Sequence, residues 1–111
     1  MWLPLEHVEA RVSTDRTSYF PGVAVTVTGF ARNLSANVDL EGVVTKTVIT
    51  DSQGGEVSRS EQAIGTLLSG AGIRVPVVWP AGAPGSYSIL FSVESAAEVL
   101  ATATTTFGVT G

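Results

Sequence analysis

The sequence predicts an all-β fold, a sandwich of seven or eight antiparallel strands. Three observations point to it. Bulky apolar residues alternate with hydroxyl-bearing ones at a period of two along most of the chain, the spacing of a half-buried strand. Gly, Pro, Asn and Asp clusters interrupt this alternation at roughly ten-residue intervals, as turns between short strands do. The 111 residues include 16 Val, 13 Thr and 11 Ser but one Lys and one Met, a composition suited to a pleated surface and poor in helix formers.

Taken in order, Val8, Ala10 and Val12 alternate with Glu9, Arg11 and Ser13 in a first strand. Pro21-Gly22 is a turn, and Val23, Val25 and Val27 alternate with Ala24, Thr26 and Thr28 in a strand that continues through Phe30 toward Arg32. A polar loop covers Asn33 to Asn37. A long β-rich run follows from Val38 to Thr50, with Gly42 marking a bulge or a switch between sheets. Asp51 to Gly55 is a hairpin turn whose return strand runs from Glu56 to Ala63, leaving Ile64 to Leu68 as a connection. Ser69 to Gly72 is a loop. Ile73 to Trp79 is a strand that Pro76 confines to a sheet edge or a bulge, because proline has no amide hydrogen for a ladder. Pro80 to Gly85 is a turn. Tyr87, Ile89, Phe91 and Val93 alternate with Ser86, Ser88, Leu90 and Ser92 in the clearest strand of the chain, Glu94 to Glu98 is its hairpin loop, and Val99 to Val109 closes the fold. One polar side per strand implies two sheets that bury their apolar faces against each other.

The length fits one domain spanning residues 1–111, with 1–5 as a flanking segment. With no Cys there is no disulfide, no thiol nucleophile and no Cys-based zinc site, so packing alone must join the sheets. The net charge is −4 and the six basic residues (Arg11, Arg16, Arg32, Lys46, Arg59 and Arg74) are scattered along the chain, which argues against nucleic acid and against an anionic membrane surface. No apolar run approaches a membrane span. Met1 to Leu5 is apolar but meets Glu6 at once and lacks a basic start, so it is not read as a secretory leader. Either the protein is intracellular or a leader and neighbouring domains lie outside this sequence, and the low-charge, Thr-rich composition favours the second.

Two stretches carry a family resemblance. Thr14-Asp15-Arg16-Thr17-Ser18-Tyr19-Phe20-Pro21-Gly22, followed by the Val-rich strand, resembles the opening of bacterial immunoglobulin-like surface repeats and of early macroglobulin domains. Gly85-Ser86-Tyr87-Ser88-Ile89 and the closing Phe107-Gly108-Val109 are similar to the late strands of the same modules. The resemblance implies an immunoglobulin-like β-sandwich, with Tyr87 as a tyrosine corner whose hydroxyl ties the preceding loop to the strand. It also implies a module used in tandem within a larger exported protein, extracellular or at the cell surface, with neighbouring domains of the same chain as its partners.

Each group that might carry chemistry also has a structural explanation. His7 is the only imidazole and lacks a nucleophile motif around it. Asp15, Asp39 and Asp51 border turns, with Glu41 and Glu56 nearby. Calcium at a sandwich end would use such oxygens, whereas Asx-turns explain Asp15 and Asp51 equally simply. The glycine-rich runs at 70–72 and 82–85 precede strands, whereas a phosphate cradle needs a helix. Asn33-Leu34-Ser35 matches a glycosylation sequon. Trp2, Tyr19, Phe20 and Trp79 are the candidate partner contacts. Tyr19 and Phe20 are adjacent, so only one of them can point inward from an extended segment.

These readings describe a non-catalytic structural or adhesive module with no cofactor and no metal. One alternative is a carbohydrate-binding module using exposed aromatics and turn carboxylates, with a glycan or another protein as partner. A second is a protease-inhibitor-like sandwich presenting Ser69 to Gly72 or Glu94 to Glu98.

Overall fold

Eight strands form among the described residues, seven of them close to where the alternation places them. They are β1 (Val8–Thr14), β2 (Ser18–Tyr19), β3 (Ala24–Asn33), β4 (Leu40–Asp51), β5 (Glu56–Leu67), β6 (Gly72–Pro80), β7 (Gly85–Ser95) and β8 (Glu98–Val109). The computed structural model describes residues 8–35, 37–95 and 98–110. The strands make a three-stranded sheet ordered β1-β3-β6 and a five-stranded sheet ordered β2-β8-β7-β4-β5. Every pairing is antiparallel except that of β2, which lies parallel to the end of β8 through Ser18–Gly108 and Tyr19–Val109. The chain therefore begins in one sheet with β1 and crosses to the other at β2.

The two inner faces interdigitate. Val25, Val27 and Ala31 of β3 and Tyr87, Ile89, Phe91 and Val93 of β7 are buried, as the period of two requires. Val43, Thr45, Thr47 and Ile49 form the inward row of β4. The core divides along the long axis. One cluster gathers Tyr19, Val25, Val27, Ile49, Tyr87, Ile89 and Phe107, and the other gathers Val8, Ala31, Val43, Leu67, Val75, Phe91 and Val93. The inward position of β3 between Val27 and Ala31 is Gly29, and the ring of Phe91 occupies the space a side chain would fill. A Cβ at Gly29 would lie 2.3 Å from Phe91 Cε1. Burying a Phe side chain contributes up to about 3 kcal/mol, and Gly29 is what admits this one.

Several boundaries differ from the sequence reading. Ile64 to Leu67 belongs to β5 and is not a connection. The alternation there is broken by bulges, with register shifts around Val43 opposite Gly65, and Gly42 and Gly65 adopt φ of 64° and 84°. β2 was hidden in a polar stretch because two residues carry no periodicity. Glu94 and Ser95 continue β7, and Ser95 pairs with Glu98, so the expected loop from Glu94 to Glu98 is mostly ladder. Pro76 sits on β6 opposite Thr28, and β6 pairs with β3 alone, so the proline lies on an edge strand as expected.

Asn33 also departs from its expected place in a loop. It ends β3 with its side chain buried at 0% exposure. Its amide nitrogen donates to the carbonyls of Val38 and Leu67 at 2.8 and 3.0 Å, and its side-chain oxygen accepts from Ser35 N–H at 3.0 Å. The sequon asparagine is thus a buried structural amide that staples the β3–β4 connection to the end of β5, closed to an oligosaccharide in the folded state.

Two substitutions test this packing. Gly29→Ala should destabilise the domain by about 2–3 kcal/mol in urea denaturation, since the added methyl meets a ring in a filled core. Adding Phe91→Leu should recover part of that loss. Thr45 Oγ1 is buried without a hydrogen-bond partner, so Thr45→Val should raise stability by about 1 kcal/mol by removing an unpaired hydroxyl at nearly constant volume.

Candidate functional site

The ends of the strands hold the first group of sequence-selected residues. Tyr19 is the inward member of its pair, 3% exposed, and Phe20 is the outward one at 70%. Tyr19 packs edge-on against Phe107 at 5.6 Å between centroids. Phe107 stacks on Tyr87 at 5.3 Å, and Trp79 lies against Tyr87 at 5.3 Å. Tyr19 and Trp79 therefore form an internal aromatic cluster and do not build an exposed stacking platform. The reason is parity: Trp79 shares the inward face of β6 with Val75 and Val77, opposite Val25 of β3. Of the four proposed contact residues, Phe20 alone is well exposed among the described ones, and Trp2 lies outside the described residues, as does His7.

Two tyrosine hydroxyls lock the loops at this end. Tyr87 donates to the carbonyl of Ala83 at 2.5 Å, the corner that the family resemblance implies. Tyr19 donates to Asp15 Oδ1 at 2.5 Å and accepts from Arg16 N–H at 2.9 Å, while the same carboxylate oxygen accepts from Thr26 N–H at 3.2 Å. The Tyr19 hydrogen bond holds the Asp15 carboxyl below its ordinary range. Burial, reinforced by that hydrogen bond, pushes the Tyr19 phenol up. Asp51 accepts from Gln53 and Gly55 N–H, both at 2.9 Å, as an Asx-turn. Asp39 accepts from Ser69 N–H at 2.9 Å. These turn carboxylates are thus engaged with backbone donors. Among the described residues, no three His, Asp or Glu side chains converge in a way that could hold a metal ion.

The Ser69 to Gly72 turn is pinned as well. Besides Ser69, Gly70 N–H donates to Asn33, Ala71 N–H donates to Leu68, and Asn33 N–H donates to Ala71, each at 2.9 Å. Gly72 already belongs to β6.

Sequence reading missed the outer face of the three-stranded sheet. The register aligns Arg11 of β1, Phe30 of β3 and Arg74 of β6 in one cross-strand row, with Arg32 two residues along β3 from Phe30. Three of the six basic residues, far apart in sequence, thus share one face. Phe30 is half-buried, and its ring lies over Gly72, where a Cβ would come within 2.8 Å of Cζ. A shallow depression of about 610 Å³ is bordered by Arg11, Val12, Ser13, Thr28, Phe30 and Arg74. Arg11 pairs with Glu9 at 2.6 Å while its side chain remains 73% exposed. Arg32 and Arg74 have no ion pair among the described residues. Strand parity alone sets Arg11 and Phe30 opposite the Val rows, but placing them beside Arg74 required the sheet order.

No family model and no curated protein matches the chain. Solved structures do. The CARDB domain of the PF1109 protein from Pyrococcus furiosus, described as a complex with di-metal ions, aligns with a TM-score of 0.72 over 98% of this chain and 97% of that one, at 12% identity. The C-terminal domain of wzt aligns with a TM-score of 0.71 over 96% of this chain and 75% of that one, at 11% identity. The chain is an immunoglobulin-like β-sandwich. A β-glucuronidase of glycoside hydrolase family 2 contains a similar fold, at 17% identity and a TM-score of 0.65, over 90% of this chain and 11% of the enzyme. A similar fold therefore recurs as a domain of larger proteins, and at these identities the likeness concerns fold.

The Asp15–Tyr19 lock gives this immunoglobulin-like domain an acid-sensitive component. A carboxyl with a lowered folded pKa stabilises the fold above its unfolded value of 3.8, and that contribution is lost as pH falls through the folded value. Asp15→Asn should lower the urea midpoint at neutral pH. The gap between wild type and variant should then narrow as pH is taken from about 5 to about 2.

Proposed function

We propose that the chain is a non-catalytic structural and adhesive module of a larger bacterial surface or secreted protein, working outside the cell beside neighbouring domains of the same chain. The observation that carries this reading is the placement of the strand ends. β1 begins beside Asn33 and the β5–β6 turn, whereas β8 ends beside Gly85 and Tyr19, at the opposite end of a body 52 × 24 × 19 Å in extent. Its radius of gyration is 15.2 Å, against about 13 Å for a rounder chain of this length. An element entered at one pole and left at the other adds nearly its full length to a string of modules. The rigid sheets set spacing, and the sheet faces and end loops offer contact surface.

A charged fraction of only 14% accords with this role. Tyr19 and Trp79 pack in the aromatic cluster, which leaves Phe20 as the exposed candidate aromatic among the described residues, so a carbohydrate reading would draw on Phe20 or on residues outside this set.

Two measurements test the proposal. Two copies joined head to tail should give a maximum dimension of roughly 100 Å in small-angle scattering, about twice the single-module length. A folded-back pair near the single-module length would count against a spacer. An antibody to the domain should label intact cells of the source bacterium, and labelling only after lysis would count against a surface role.

A further inference from the structure

We propose that the outer face of the β1-β3-β6 sheet binds a carboxylate-bearing polysaccharide, with one sugar ring seated on Phe30 and flanking carboxylates held by Arg11 and Arg74. This deepens the adhesive reading above and rests on it.

Charge distribution supplies the first argument. The protein carries −4 overall, yet Arg11, Arg32 and Arg74 meet on one face, with Glu9 beside Arg11 and Asp15 at the far end, engaged by Tyr19 and the Thr26 amide. Guanidinium groups are planar, permanently charged donors whose paired N–H groups match a carboxylate. Solubility alone does not call for gathering half of the basic residues of an acidic protein on one small sheet.

Geometry supplies the second. An aromatic ring on the solvent face of a sheet usually lies among other apolar groups. Phe30 instead sits between two arginines in one row, its position fixed from beneath by the missing Cβ of Gly72. Arg11 and Arg74 lie on the strands to either side of β3, roughly 10 Å apart at the backbone. A chain laid across the strands would place a ring on the aromatic surface and charge at both sides. The depression of about 610 Å³ along this row is open and shallow, suited to part of a polymer. Thr28 and Ser13 border it and supply hydroxyls for sugar hydroxyl groups.

Occupant chemistry follows. An extended acidic peptide would take its main-chain hydrogen bonds along the outer edge of β1 or β6, beside the sheet and not across the row of Arg11, Phe30 and Arg74 on its face. A nucleic acid would need more cations than this face supplies and would be repelled by the acidic remainder of the molecule. A uronate polymer combines modest charge density with a flat apolar ring face. Glu9 now holds Arg11 in a solvent-exposed ion pair, a weak contact that an incoming carboxylate can replace.

Polygalacturonate is the probe, with dextran, poly-glutamate and single-stranded DNA as comparisons, and binding is followed by titration calorimetry over a range of salt. Polygalacturonate should bind and weaken as salt rises, dextran should not bind, and poly-glutamate and DNA should bind at least about tenfold more weakly. Arg11→Ala and Arg74→Ala should each weaken binding about tenfold, and Phe30→Leu about fivefold. Glu9→Gln should tighten binding by freeing Arg11, a gain that no folding defect can imitate. Equal binding of poly-glutamate or DNA, wild-type affinity in the arginine and Phe30 variants, or no binding of polygalacturonate would each overturn the proposal. None of these results would alter the length of a tandem pair or the labelling of intact cells, so loss of this site and loss of the module reading are separable.

Discussion

The contact between Phe91 and Gly29 is the constraint on which the two-layer arrangement depends. With no covalent link between the sheets, their separation and register must come from side chains that interlock. A large ring from the five-stranded sheet enters a vacancy on the facing strand and packs in the same half of the core as Ala31, Val75 and Val93. It fixes how closely β3 and β7 approach and prevents either sheet from sliding along the other. Around it, most of the filling is done by Val and Ile, whose branched side chains are stiff and lose little freedom on burial. The inward Thr45 and Thr47 match Val in shape and show that volume, more than polarity, governs this layer.

The long ends of such a thin body need their own restraints, and these are polar. At one pole, the Tyr87 and Tyr19 hydroxyls tie loops to strands, while their rings join Phe107 and Trp79 in a packed cluster. At the other pole, Asn33 does comparable work with an amide, spanning the β3–β4 connection and the end of β5. Each device satisfies buried polar groups and fixes a turn at once. The Ser69 to Gly72 turn beside Asn33 is consequently held and offers little free backbone.

Period-two alternation made the fold class and the clear strand at Tyr87 to Val93 legible in the sequence, the missing amide hydrogen of Pro76 narrowed its place to an edge or a bulge, and the family resemblance supplied the tyrosine corner. Strand ends were less so, because bulges at Gly42 and Gly65 shift the alternation by a residue and make a ladder resemble a loop. Asn33 looked like loop polarity because nothing local reveals that its amide is enclosed. The arginine row was invisible for a different reason. Arg11, Phe30 and Arg74 become neighbours only through the order of strands in a sheet, a property of long-range pairing that no window of sequence contains. Trp79 was the converse: an aromatic residue suggests a contact surface until its parity with Val75 and Val77 assigns it to the interior.

The crossing of the chain from β1 to β2 has a mechanical consequence. β2 runs parallel to β8, and two backbone bonds near their ends, Gly108 N–H to Thr17 and Thr110 N–H to Tyr19, join the first part of the chain to the last. Tension applied along the long axis pulls these two segments in opposite directions, so the bonds are loaded together in shear and cannot be unzipped one after another. A filament built from such units would resist stretching at this small clasp, and its yield point would be set by the few residues where the sheets exchange a strand.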